Sequence, residues 1–182
     1  MRTAEIHRTY RYQFLNKLGT FQKYWLTGTD TAYSIHFTIV NGSGYHRNFR
    51  VARHMTSLSG EWMITGTNTN TITLNTVNDA PYRCSGIDTV TTEHAKRTMN
   101  YTLMLTFTNV TGPRGSRLDV AEKTSGTLSG TYHATVTFLR GSAYSERTVD
   151  RTFTITLGGD GQEIHLGDRR FPCDGRTGEL MP

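Results

Sequence analysis

Between Ile6 and Phe14, apolar side chains fall on even positions (Ile6, Tyr10, Tyr12, Phe14) and polar ones on odd positions (His7, Thr9, Arg11, Gln13). The same period of two sets Tyr33, Ile35, Phe37 and Ile39 against Ser34, His36 and Thr38, and Tyr101, Leu103, Leu105 and Phe107 against Thr102, Met104, Thr106 and Thr108. It returns at Tyr132, Ala134, Val136 and Phe138, and again at Phe153, Ile155 and Leu157. A period of two turns alternate side chains to opposite faces of a strand, so each segment predicts a strand with one apolar and one wet face. No stretch sustains a period of 3.6, and Leu118–Lys123 reads as one helical turn at most. The pattern predicts an all-β, antiparallel protein, a β-sandwich of about eight to ten strands with a closed barrel as the alternative. It reads as a single domain over residues 1–182, with a soft boundary near 41–59, where alternation fails and Gly and Arg concentrate.

Threonine dominates the wet positions, and from Thr65 to Thr73 every second residue is threonine. Ranked hydroxyls of this kind can form a working surface, but only on a flat array repeated at a fixed pitch. Here Gly66-Thr67-Asn68-Thr69-Asn70 interrupts the row with turn chemistry, which predicts two strands joined by a hairpin near Asn68 and a bent row. The array reads as solvent face.

Composition agrees with strands and changes little else. Hydrophobic residues make up 35% and aromatic residues 10%, enough apolar mass for a core. The formal charge is +5 and comes mostly from arginine, whose planar fork suits carboxylate, phosphate or sulfate. This permits a polyanion partner, while the lack of a wider Lys/Arg field argues against nucleic acid. No stretch approaches the roughly 20 apolar residues of a membrane helix. The opening MRTAEIHRTYRY has no signal-peptide apolar core, so export, which the composition favours, implies a signal that this sequence does not contain.

Catalytic signatures for acyl transfer, nucleotide binding or zinc hydrolysis are missing, so no catalytic residue, metal ligand or cofactor is expected. Cys84 and Cys173 stand far apart without metal-type spacing, and in an exported chain they are expected to form a disulfide. The basic stretch "YHRNFRVARH" interleaves arginine with aromatics, as a groove for acidic or sugar ligands would. Tyr45, Arg47, Arg50 and Arg53 are its candidate ligand-binding residues.

Two resemblances bear on these readings. "LSGEWMITGT", with its Gly60-Glu61-Trp62, is similar to the strand that closes lipocalin- and avidin-type barrels, which implies a small apolar ligand in a barrel mouth. The threonine-rich meander ending in "RTFTITLGGDGQEIHLGDRRFPCDG" resembles uncharacterised exported, lipoprotein-type all-β proteins of bacteroidete bacteria, which implies a periplasmic or cell-surface location. The expected function is a non-enzymatic, extracytoplasmic binding or adhesion module for glycans or acidic polymers. The alternatives are a self-assembling fibre or coat subunit, joined through edge strands as a homo-oligomer, and a barrel carrying a small apolar ligand.

Overall fold

A computed structural model describes residues 2–27, 30–114, 124–158 and 162–173. In chain order the strands are β1 (Thr3–Leu15), β2 (Phe21–Gln22), β3 (Leu26–Thr27), β4 (Asp30–Thr31), β5 (Ser34–Arg47), β6 (Val51–Thr65) and β7 (Thr71–Thr76). They continue with β8 (Tyr82–Thr91), β9 (Ala95–Pro113), β10 (Ser125–Arg140), β11 (Ala143–Leu157), β12 (Gln162–Leu166) and β13 (Arg169–Cys173). No helix occurs among the described residues, and so none is long and apolar enough to cross a membrane. The helical turn expected at Leu118–Lys123 and the Asp160-Gly161 turn lie outside the described residues.

Apart from the small β3–β4 ribbon, the strands form one sheet in the order β13-β12-β11-β10-β9-β7-β6-β5-β1-β2. β7 and β8 share one lane: β6 pairs with β7 through Trp62–Thr65 and with β8 through Val51–Ser59. The antiparallel all-β architecture expected from the alternation is present, with its apolar side turned inward as in a sandwich. The barrel alternative is not realised, because among the described residues neither β1 nor β2 pairs with β11, β12 or β13. The strands outnumber the eight to ten expected because short pieces such as β2–β4 carry no readable alternation and because one lane is split in two.

Register assigns the faces. Phe14, Ile35, Ile64, Leu74 and Val110 lie in one cross-strand row, and Ile6, Gly44, Met55, Gly86, Tyr101 and Ala134 in another. Both rows point inward. Thr102, Thr106, Thr131, Thr135, Thr152 and Thr154 point outward, as the alternation predicted. Irregularities at Thr9/Tyr10, Met55/Ser57 and Ser125/Thr127 bend the strands and let the sheet curl. At Gly42 an added β-carbon would lie 2.9 Å from Leu58 Cβ, so only glycine lets β5 fold so closely over β6. The hydrophobic core sits at one end, where Val110, Leu128 and Leu157 pack with Leu74, Phe107 and Ile155.

The threonine row bends as expected, with Thr65 opposite Thr73 across the hairpin. Its hydroxyls are engaged within the fold: buried Thr67 donates to the Ala32 carbonyl at 2.6 Å, and Thr73 and Thr111 share a bond at 3.2 Å. The Cys84–Cys173 disulfide expected from the sequence does not form. Cys84 is a free, buried thiol on β8, whereas Cys173 belongs to β13. Four strands lie between those two lanes, about 24 Å along the sheet at 4.8 Å per step, and a disulfide needs Cα atoms within about 7 Å.

Candidate functional site

The inward face beyond the core forms a trough of about 470 Å³, lined by Ile6, Gly44, His46, Arg53, Met55, Asp88 and Tyr101 among others. Ile6 is on β1 and Tyr101 on β9, four lanes apart, or about 19 Å on a flat sheet. Sharing one concavity requires the sheet to curl toward this side. The trough exists because its row alternates small with large. Gly44 and Gly86 leave floor space between Ile6, Met55 and Tyr101, and a β-carbon on Gly86 would reach within 2.7 Å of the His54 carbonyl oxygen.

The four sequence-derived candidates are not gathered on one face. Arg53 lines the trough and lies 3.7 Å from Asp88. Tyr45 borders the trough, although its register places it in the outer row with Glu5 and His54. Arg47 is opposite Thr3 and Ala52, also in the outer row. Arg50 belongs to the β5–β6 turn, where Asn48 Oδ1 accepts its backbone N–H at 2.9 Å and its guanidinium lies 5.1 Å from the Phe49 ring centre.

Sequence reasoning missed the charge pattern of the inward face. Register places Arg8, Arg53, Arg97, Arg147 and Arg151 there, and Asp88 as the one carboxylate among the described strands of the large sheet. The other carboxylates turn outward, where His7 meets Glu5, His133 meets Asp150 and His165 meets Glu163. Once the pairing register is known, the sequence carries this signal, because each of these arginines shares its strand's parity with leucine, valine or tyrosine.

A tyrosine cluster adjoins the arginines. Tyr101 and Tyr132 stack with centroids 6.4 Å apart, and the Tyr132 hydroxyl donates to Met99 Sδ at 3.3 Å. Burial, with the Cys84 thiol and the Asp88 carboxylate nearby, pushes the Tyr101 phenol up to about 12. Burial and Asp88 push Tyr132 up. Tyr82 is raised by burial and Cys84, and the charge of Arg8 partly opposes this.

These phenols are therefore neutral donors at ordinary pH, and the raised pKa has a consequence at alkaline pH. Folding favours the neutral phenol, so the contribution of Tyr101 is fully present below its unfolded value of 10.0 and is lost as pH rises toward about 12. A Tyr101→Phe protein is expected to lose less stability than the parent between those values. Denaturant unfolding at several alkaline pH values measures the difference, and identical slopes would contradict the assignment.

A second concavity, about 400 Å³, opens on the outer face between Arg11, Glu61, Asp79 and Arg83, beside the loop that separates β7 from β8. Asn78 in that loop donates to Glu61 Oε1 at 2.7 Å, closing one side with a polar bond. Among the described residues no three of His, Cys, Asp and Glu gather as metal ligands would. No protein-family model, curated protein or solved structure matches the chain.

Proposed function

We propose that the chain is a non-enzymatic binding module whose inward trough takes an elongated amphipathic anion. The carrying observation is the distribution of that face. It is aliphatic and aromatic from the Trp62 end to Met55, then lined by arginine and neutral tyrosine. An apolar body would lie along Met55, Met99 and Tyr101. Its acidic group would meet Arg8, Arg147 or Arg151, which make no ion pair with a carboxylate among the described residues. Guanidinium forks and phenol hydroxyls are the donors a carboxylate, sulfate or phosphate requires. This keeps the expected anionic ligand and, of the four sequence candidates, keeps Arg53 and Tyr45 beside the trough and leaves out Arg47 and Arg50. We also propose an extracytoplasmic location, on composition alone.

The test is a titration followed by tryptophan fluorescence, comparing a long-chain carboxylate, the matching alcohol and a sulfated oligosaccharide. The carboxylate is expected to saturate, with the alcohol about tenfold weaker, because a charge-assisted bond contributes about 1.5–3 kcal/mol. Arg147→Ala with Arg151→Ala should remove that preference and leave the fold intact. Saturable binding of the oligosaccharide alone would sink the amphipathic reading in favour of a glycan module.

A further inference from the structure

At one side the large sheet ends at β1 and the short β2, and most of the β1 edge is unpaired among the described residues. β2 covers only Phe14 and Leu15, so the outer edge of Thr3–Gln13 has no pairing strand among the described residues. The stretch is long and carries neither lysine nor proline, two of the devices that keep edge strands apart. On its inward side Ile6, Tyr10 and Tyr12 are exposed at 56%, 60% and 55%. These are the apolar side chains that one more strand alongside would cover.

We propose that this edge pairs with the same edge of a second copy of the chain, antiparallel across a two-fold axis centred on Arg8. In that register Glu5 stands opposite Arg11 of the second copy, and Arg11 opposite its Glu5. Ile6 meets Tyr10 and Ala4 meets Tyr12 on the inward side, again twice. Opposite charges and apolar pairs directly across strands are the contacts that stabilise a sheet. Arg11 makes no ion pair among the described residues, and Glu5 is held only by its exposed neighbour His7. Arg8 would face its own copy, but its side chain leans away over Gly42, with Cγ 3.3 Å from where a β-carbon there would sit.

The opposite end of the sheet lacks this self-complementarity. Outside β12's reach, Ala143–Thr152 of β11 has no pairing strand on that edge among the described residues. A two-fold centred on Arg147 or Asp150 sets that residue against itself. Centring on Thr148 sets Glu146 against Asp150, and centring on Val149 sets Arg147 against Arg151. Like charges face each other in each of these registers, whereas the one like pair in the β1 register, Arg8, leans off the edge over Gly42. Joining at β1 extends the sheet across the axis and sets the two troughs side by side.

Sedimentation equilibrium of the ligand-free full chain tests the assignment. The expected mass is twice 20.5 kDa at micromolar concentration. Glu5→Arg should weaken the dimer about tenfold or more by setting like charges opposite twice. Glu5→Arg with Arg11→Glu should restore it, with unchanged circular dichroism throughout. A monomer at all concentrations overturns the proposal, and so does a dimer indifferent to the charge reversal. Open-ended polymers also overturn it, because they mean β1 joining β11 of the next copy.

Discussion

Replacing Trp62 by alanine is expected to cost about 3–5 kcal/mol of unfolding free energy. Trp62 is the largest of the buried side chains among the described residues, 7% exposed, and no large side chain among them is fully enclosed. Its ring lies 5.8 Å from Phe37, 6.3 Å from Tyr82 and 6.2 Å from Phe107, joining four lanes of one curled sheet. The buried apolar set among the described residues is small, so the loss is a large share of the roughly 5–15 kcal/mol that holds a domain together. The buried indole N–H has no hydrogen-bond partner among the described residues, and an unmet buried donor costs about 1–3 kcal/mol. Trp62→Phe removes that orphan donor and keeps the ring contacts, so it should cost far less than Trp62→Ala. Urea unfolding of the two variants gives both numbers. An alanine cost below about 1 kcal/mol would mean that the aromatic junction does not organise the sheet.

Much of this arrangement was legible in the chain. The period of two assigned inner and outer positions in β1, β9, β10 and β11, because one apolar face imposes parity wherever a strand is regular. The turn at Asn68 followed from its Gly and Asn, and the bend in the threonine row followed from the turn. What could not be read was the relation between strands. Residues of β5 and β6 pair so that their numbers sum to 99, as Phe37 with Trp62 and His46 with Arg53, so an odd residue on one shares its face with an even residue on the other. Arg47 therefore turns outward and Arg53 inward, although both are odd and six apart. The alternation failed near 41–59 because irregularities on both strands of this hairpin shift its parity. The cysteines misled for a related reason. A meander keeps strands near their sequence neighbours, which leaves Cys84 and Cys173 on distant lanes.

The irregularity between β9 and β10 should be the least forgiving place in the sheet. Thr111 pairs with Ser125 and Thr108 with Thr127, so Asn109 and Val110 stand against Gly126 alone. Asn109 adopts φ 50° and Gly126 φ 114°, both in the region that a β-carbon disfavours. A β-carbon on Gly126 would come within 2.5 Å of the Asn109 carbonyl oxygen and of Val110 Cα, and these are backbone atoms that cannot swing aside. Val110 in turn is locked into the core with Leu128 and Leu157. Backbone strain of about 1–3 kcal/mol then adds to an overpacking term of similar size, so Gly126→Val is expected to lose about 3 kcal/mol or more. Asn109→Gly, which suits the same φ, should stay within about 1 kcal/mol of the parent. The bulge is also what turns Val110 inward, since the regular alternation through Phe107 would have sent it out. If Gly126→Val unfolds at the parental urea concentration, the two strands pair without the extra residue, and Val110 cannot belong to the core described.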